Sequence, residues 1–166
     1  IVNAFQLLSK DYRRKAQLNI IGDGSNLENI KLLSVNCSNI VFFGKKLREE
    51  MASFYKSSNF LIVSLIDKPI FSSTIPTKLQ TYIAAKKPIL AIIKGETAVI
   101  VSDNNLGISV DPSNVILIKE TFERCIDMPA NEKFKFTINN TKLLETTFNK
   151  DSIINKMTSQ LVGCND

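Results

Sequence analysis

Histidine is absent from this chain of 166 residues, and cysteine is scarce. Without histidine, the chain alone cannot build a serine–histidine or cysteine–histidine couple, and it cannot build a histidine-ligated metal site. Its cysteines, Cys37, Cys125 and Cys164, are far apart in the sequence and show no C-x-x-C spacing. An odd number of widely spaced cysteines predicts reduced thiols and therefore a cytoplasmic protein.

Long apolar runs are missing as well. The longest ones, Phe60–Ile66 and Pro88–Ile93, fall far short of the roughly 18 residues that span a bilayer. No signal peptide is visible, and Ile1 lies inside a helical pattern, which we interpret as a piece of a longer protein. A composition of 44% apolar and 22% charged residues, with 6 Gly and 5 Pro, predicts one globular domain over residues 1–166.

Negative charge is in deficit. The chain has 21 Lys and Arg against 16 Asp and Glu, which gives a net charge of +5. This surplus favours an anionic partner without identifying it. Since the basic residues are scattered and no aromatic residues are interleaved with them at the predicted site, we do not expect nucleic acid to be the partner.

Short apolar runs alternate with segments in which apolar residues recur at helical spacing. Unbroken apolar strands separated by helices are typical of a parallel sheet covered on both faces, so we predict an α/β fold. Ligands of such folds bind where the carboxyl ends of the strands turn into helices. The predicted strands are Leu18–Ile21, Ile40–Phe43, Phe60–Leu65, Pro88–Ile92 and Gly107–Val110.

The helix starts carry recognisable signals. Ser25 followed by Glu28 is a capping-box pattern, and Asp111 followed by Pro112 is a favourable pair for opening a helix. The apolar spacing from Ile1 to Tyr12 predicts an opening helix. Further helices are predicted at Pro76–Ala85, Thr97–Val101, Asn131–Glu145 and Lys150–Leu161.

Two glycine-containing loops follow the first two predicted strands. Gly22 and Gly24 allow a tight turn that could bring free backbone N–H groups to an anion, but the same pattern is typical of an ordinary strand-to-helix turn. Gly44, followed by Lys45 and Lys46, is either a basic binding loop or a solvated turn. From the residues alone, both interpretations of each loop stay open.

The helix predicted at Pro76–Ala85 has the most informative start. Thr77, Lys78 and Thr81 share one side of this helix, because residues three and four apart are neighbours on a helix surface. Lys78 lies in the first turn, where its charge opposes the positive end of the helix dipole. A bound phosphate would remove this conflict, and a side chain that points into water would also tolerate it.

The order of these signals resembles the C-terminal half of GT-B glycosyltransferases of the group 1, or family 4, type. The resemblance covers Ile1 to Leu161 and implies a Rossmann-like, three-layer domain with about five or six parallel strands and C-terminal helices. Such enzymes have two halves, of which the C-terminal half binds a nucleotide-sugar and the other binds the acceptor. The runs that carry the resemblance are Leu18–Gly24, Asn39–Gly44, Pro76–Leu90 and Asn105–Ile108.

The resemblance implies roles for two segments. Pro76, Thr77 and Lys78 match a segment that holds the donor diphosphate, and Gly44 with Lys45 matches a loop beside the nucleotide base. No D-x-D motif is present, so the resemblance implies a metal-independent transfer with no cofactor besides the nucleotide-sugar. Lys78, helix N-termini and an Arg–Lys pair that the family places before this fragment would then stabilise the leaving diphosphate.

The chain departs from the family pattern at the ribose. Ser73 and Thr81 stand where relatives carry the glutamates of an E-x7-E motif, the second of which accepts hydrogen bonds from the ribose. Both hydroxyl groups can bind ribose but carry no charge and reach less far. Lys86 stands in place of a common glycine. We expect a branch of the family with a different ribose contact.

The resemblance thus implies half of a retaining glycosyltransferase that moves a hexosyl or acetamidohexosyl group from a UDP- or GDP-sugar. The acceptor would be a glycan or a polyprenyl-diphosphate-linked glycan of O-antigen, lipopolysaccharide or capsule synthesis. We expect this acceptor to bind a missing N-terminal domain, with peripheral contact at the inner face of a bacterial cytoplasmic membrane, and the fragment alone to be inactive. The alternatives are a nucleotide-sugar epimerase of the same fold and a non-enzymatic receiver-like or nucleic-acid-binding module.

Overall fold

Strands and helices alternate along the chain in the computed structural model, which describes residues 1–65, 74–147, 154, 158 and 159. None of the described helices has the length and apolar character needed to cross a bilayer. In chain order the elements are α1 (Val2–Gln6), α2 (Lys10–Lys15), β1 (Leu18–Ile21), α3 (Leu27–Ser34), β2 (Ile40–Gly44), α4 (Arg48–Ser57), β3 (Leu61–Ser64), α5 (Thr77–Ala84), β4 (Ile89–Ile92), α6 (Glu96–Asp103), β5 (Gly107–Val110), α7 (Val115–Asp127) and α8 (Ala130–Thr146).

All pairings between the described strands are parallel. Strands β1 and β2 form a first ladder, in which Leu18 lies opposite Ile40. Strands β3, β4 and β5 form a second ladder in that order, in which Ile89 lies between Leu61 and Gly107. The α/β class with parallel strands is therefore confirmed, and within the described residues the backbone hydrogen bonds divide the strands into these two groups.

Strand β4 shows how helices cover both faces of the sheet, because successive strand residues point to opposite faces. Leu90 and Ile92 belong to a cluster that reaches both ladders, α1 and α7, and we call it the shared cluster. Ile89 and Ala91 belong to a second cluster, formed with α5 and α6, which we call the α5–α6 cluster. Apolar residues on both sides of one strand confirm the predicted three-layer arrangement.

Two predicted helix starts are wrong. Helix α3 begins after Asn26 and not after Ser25, and no side chain caps it. Helix α7 begins after Asn114, whose Oδ1 accepts a hydrogen bond from the Leu117 N–H at 3.0 Å. Asp111 instead closes a turn, since its Oδ1 accepts from the Ser113 N–H at 2.8 Å. Asn, Asp and Ser all cap well, so the path of the chain decides which one does.

The start of the chain also differs from expectation, whereas the helix predicted before its last segment is confirmed. The apolar spacing from Ile1 to Tyr12 is divided between α1 and α2, because Ser9 starts a new helix by accepting a hydrogen bond from the Tyr12 N–H. The helix predicted at Asn131–Glu145 is confirmed as α8. The helix predicted at Lys150–Leu161 falls mostly outside the described residues.

Candidate functional site

A backbone hydrogen bond joins the first two loops at the carboxyl edge of the sheet. The Gly22 N–H donates to the Gly44 carbonyl oxygen at 2.8 Å. Both glycines have positive φ, +135° and +64°, which side-chain-bearing residues rarely adopt. The register shifts between Ile20 and Ile21, so Ile21 lies opposite Gly44, and Phe43 has no paired residue in β1. This irregularity turns Gly44 towards the β1 loop.

The loop after Gly44 leads into α4 with one free basic side chain. Lys45 is exposed and has no hydrogen bond or ion pair among the described residues. Lys46 is paired with Glu50 at 3.6 Å, and the same carboxylate accepts from the Leu47 N–H at 2.8 Å. Lys46 and Glu50 therefore fix the start of α4, while Lys45 is left free to contact a ligand.

The start of α5 presents a second cationic position. Pro76 precedes the helix, and its carbonyl accepts a hydrogen bond from the Leu79 N–H at 2.9 Å. Thr77 and Lys78 are exposed in the first turn, where backbone N–H groups have no partner within the helix. The Lys78 ammonium has no hydrogen bond or ion pair with any residue that the structure describes. Leu79 and Ile83, both 0% exposed, anchor the opposite side of the helix in the α5–α6 cluster.

Thr81 faces solvent one turn further along α5. Its hydroxyl donates to the Thr77 carbonyl oxygen at 3.2 Å. The proton is therefore directed at the helix backbone, and the oxygen lone pairs remain for an outside donor. Ser73, the other residue predicted to contact the ribose, lies outside the described residues.

An aromatic contact connects α5 with the helix that follows the Gly44 loop. The rings of Tyr55 on α4 and Tyr82 on α5 meet edge-to-face, with centroids 5.7 Å apart. Burial raises the pKa of Tyr82, and the neighbouring Tyr55 adds to this effect. This packing connects α4, which follows the Gly44 loop, with the helix that carries Lys78.

Thr97 is a site residue that the sequence analysis missed. It is fully buried in the first turn of α6, and its hydroxyl donates to the Thr74 carbonyl oxygen at 3.0 Å. This bond holds the segment that enters α5 from a helix on the neighbouring strand. The available signal was a threonine directly after Gly95 and Glu96 at a predicted helix start, but its partner lies 23 positions earlier in the chain.

Lys86 follows the end of α5 in a left-handed conformation, with φ of 55°. This conformation favours glycine, because other residues bring Cβ close to the backbone. The structure therefore gives a physical reason for the glycine that the resemblance leads one to expect at this position. In the described part of the chain, no group of three or more His, Cys, Asp or Glu side chains could hold a metal ion.

Comparison with known proteins identifies the family of the chain. The family model described as glycosyl transferases group 1 matches residues 1–143. The chain belongs to this family. The match includes every predicted site segment, from Gly22 to Thr81, and it confirms the resemblance inferred from the sequence.

Two individual proteins illustrate the relationship. The chain is 24% identical over 132 residues to the probable glycosyltransferase WbjE of Pseudomonas aeruginosa. The aligned region covers 77% of this chain and 32% of that protein. The structure is similar to a crystal structure of α,α-trehalose 6-phosphate synthase from Burkholderia multivorans, with a TM-score of 0.66 and 14% identity over 98% of this chain and 40% of that one. At this identity the second similarity shows the GT-B type of fold. The chain spans about a third of the length of the curated relative.

Proposed function

We propose that this chain is the nucleotide-sugar-binding half of a metal-independent, retaining glycosyltransferase. The donor is a UDP- or GDP-sugar, and α5 holds its diphosphate. The observation that carries the proposal is the Lys78 ammonium, which is exposed beside the start of α5 without a partner among the described residues. In a chain of the group 1 glycosyltransferase family, an unpaired cation beside free helix N–H groups suits a leaving diphosphate.

The anchoring of α5 supports this role. Leu79 and Ile83 fix one side of the helix in the core, and Thr97 ties the segment before it through the Thr74 carbonyl. The Thr77 and Lys78 N–H groups are held in place by this anchoring, so they lose little entropy when they bind an anion. Together with the Lys78 ammonium they stabilise charge that develops on the leaving group. The chemical step assigned to this chain is therefore neutralisation of the departing nucleoside diphosphate.

Thr81 would bind the ribose as a hydrogen-bond acceptor. Its proton is used by the Thr77 carbonyl, so the oxygen can accept from a ribose hydroxyl as the family glutamate does. Gly44 and Lys45 would lie beside the base, and the Gly22–Gly24 turn would border the same cleft. The threonine thus keeps the acceptor function of the glutamate without its charge.

Calorimetric titration of the chain with UDP and GDP tests the diphosphate contact. The Lys78→Gln variant should bind the preferred nucleotide about tenfold more weakly, because it removes one charge-assisted contact worth about 1.4 kcal/mol. Lys86→Gln is the matched control, since it removes the same charge from the other end of α5, and its affinity should stay within about twofold. Equal affinities of the two variants would contradict the proposal, and so would failure of both nucleotides to bind.

The ribose contact has its own matched pair of variants. Thr81→Val should weaken nucleotide binding about threefold to tenfold, and Thr81→Glu should restore it, since the carboxylate accepts the same hydrogen bond. Thr146 on α8 is exposed and makes the same hydrogen bond to the carbonyl four residues earlier, at 2.9 Å, so Thr146→Val is the control. Unchanged affinity of Thr81→Val would remove Thr81 from the site.

The whole enzyme would need a second domain for its acceptor. We propose a glycan or a polyprenyl-diphosphate-linked glycan of surface-polysaccharide synthesis as the acceptor, reached at the inner face of the cytoplasmic membrane. The support is family membership together with a chain that spans about a third of its curated relative. The chain alone is then expected to bind the donor nucleotide and to show no sugar transfer in a product assay.

A further inference from the structure

A cavity of about 200 Å³ lies at the end of the first ladder opposite to the candidate nucleotide site. Its walls are α2 on one side and residues 36–39, which lead into β2, on the other. Strands β1 and β2 have four and five residues and rise about 3.3 Å per residue, so this cavity lies roughly 10 Å or more from the Gly22–Gly44 junction. It is therefore a separate site.

The cavity has cationic walls, and none of the described residues that line it is acidic. Lys10, Arg13 and Arg14 contribute to it from α2. Among the described residues, the side chains of Lys10 and Arg13 have no hydrogen bond or ion pair. Arg14 is 3.6 Å from Asp11, but both side chains are about 80% exposed, and such pairs contribute little. The positive charge in this cavity is thus largely uncompensated.

The two faces of α2 carry different interactions. Tyr12 and Lys15 contact α7, because the Tyr12 hydroxyl donates to the Asp127 carboxylate and Lys15 is paired with the same carboxylate at 3.6 Å. Lys10, Arg13 and Arg14 stand on the other face, at the spacing of neighbours on a helix. Attachment of α2 to the core is accounted for by its Tyr12 face. Of the three cations that line the cavity, only Arg14 has a side-chain partner among the described residues.

The opposite wall is held in place by hydrogen bonds. The Asn39 side-chain amide donates to the carbonyl oxygens of Arg13 at 2.7 Å and of Ala16 at 3.3 Å. The Cys37 N–H donates to the Ser34 carbonyl at 2.9 Å, and Cys37 itself is buried. The backbone of both walls is consequently held in place before any ligand arrives, which lowers the entropic cost of binding.

We infer that this cavity binds an oxyanion of the phosphate class, either free phosphate or the phosphate of a lipid headgroup. Two arginines offer planar pairs of N–H donors that match phosphate oxygens, and Lys10 adds a point charge. The space of about 200 Å³ is well above the roughly 10–15 Å³ that a single water needs, so the cavity has room for a phosphate group. The inference does not depend on the proposed function, because its residues are not part of the candidate nucleotide site.

Nuclear magnetic resonance of the chain tests the site with inorganic phosphate. The backbone amide signals of residues 36–39 should shift and saturate as phosphate replaces chloride at constant ionic strength. Lys10→Gln combined with Arg13→Gln should weaken this binding at least about tenfold, whereas Lys135→Gln combined with Lys142→Gln, on exposed positions of α8, should leave it within about twofold. Lys78→Gln should leave these four signals unchanged, which separates this site from the proposed nucleotide site.

Vesicle sedimentation distinguishes the two sources of the anion. Co-sedimentation with phosphatidylglycerol vesicles that falls only in the Lys10 and Arg13 double variant would support a lipid headgroup as the ligand. Saturable binding of inorganic phosphate without vesicle binding would support the free ion. Amide shifts that do not saturate, that chloride also produces, or that decline equally in both double variants would overturn the site.

Discussion

The two ladders differ in how deeply they are buried. All four residues of β4 in the second ladder are buried, and α5 packs on it through fully buried Leu79 and Ile83. In the first ladder, only Leu18 and Ile40 are buried, and the other strand residues are half-buried or exposed. Apolar packing therefore stabilises the second ladder more strongly than the first.

The helices beside the first ladder repeat this contrast. Helix α3 leaves Leu32 and Leu33 71% and 55% exposed, and α4 has no buried residue. The first ladder is held to a larger extent by specific polar contacts, such as the Gly22–Gly44 bond and the Asn39 amide. The comparison indicates that the start of α5 stands on the more tightly packed part of the domain and the Gly44 loop on the more weakly packed part.

The largest expected effect on stability distinguishes alanine substitutions at two glycines, Gly107 and Gly24. A Cβ on Gly107 in β5 would lie 1.8 Å from the Ile89 carbonyl oxygen, so Gly107→Ala must displace backbone inside the second ladder. A Cβ on Gly24 would have no heavy atom within 4 Å. We expect Gly107→Ala to lower the free energy of unfolding by about 4 kcal/mol or more and Gly24→Ala by less than about 0.5 kcal/mol. Urea denaturation measures both, and similar values would contradict the comparison.

A pair of apolar truncations tests the burial contrast directly. Ile83→Ala leaves a cavity in the α5–α6 cluster and should lower the free energy of unfolding by about 2–5 kcal/mol. Leu33→Ala on α3, where the side chain is 55% exposed, should change it by at most about 0.5 kcal/mol. Chemical denaturation of the two variants under the same conditions measures both changes. A comparable loss of stability for Leu33→Ala would mean that the packing of α3 contributes more to stability than its exposure indicates.

The shared cluster, which reaches both ladders, should make folding sensitive to alkaline pH. Burial raises the pKa of Cys125 from the ordinary 9.0 to about 12, against a lowering effect from Arg124 and Lys133. A raised pKa means that the folded state holds the thiol proton more tightly. Its contribution to stability is complete below pH 9 and is lost as the pH rises towards 12. Between about pH 8.5 and pH 10.5 we expect a loss of about 1–2 kcal/mol.

The Cys125→Ala variant isolates this contribution. Tyr12 and Tyr82 also have raised pKa values, and both remain in the variant, so the difference in slope between the two proteins reports Cys125. Stability measured by denaturation at several pH values should fall less steeply in the variant. Parallel pH profiles would show that the thiol ionises without a conformational cost.

The smallest expected effect concerns the end of α5. Lys86 has φ of 55°, so Lys86→Gly should relieve backbone strain and raise the free energy of unfolding by about 0.5–1 kcal/mol. Asn105 also has positive φ, 48°, but asparagine tolerates this conformation better, and Asn105→Gly should give a smaller gain. Thermal denaturation compares them, and destabilisation by Lys86→Gly would show that the lysine side chain contributes a contact that outweighs the strain.

The order of strands was predictable from the sequence because it depends on local apolar runs. Strands β1 and β5 were predicted with their observed bounds, since β1 lies between Gln17 and Gly22, and β5 begins at Gly107 and ends before Asp111. Helix starts were predicted less well, because Ser25 and Asn26, or Asp111 and Asn114, are equally suited to capping. The choice between them depends on how the chain crosses the sheet, which no local pattern contains.

The candidate site was predictable to the extent that it is local. Thr77, Lys78 and Thr81 were placed on one side of a helix from their spacing alone, and the structure shows all three exposed on α5. The Thr97–Thr74 hydrogen bond and the Gly22–Gly44 junction join residues more than 20 positions apart. Such contacts follow from the packing of neighbouring strands, and a single sequence does not report them.

The Gly22–Gly44 junction is made of main-chain atoms alone. Its alignment is consequently indifferent to the side chains that flank it, such as Asp23 and Lys45. Evolution or an engineer can exchange those neighbours, and with them the chemical character of the opening, while the two turns keep their mutual spacing. Variation at this edge can therefore change the chemistry offered to a ligand without changing the backbone bond that joins the two loops.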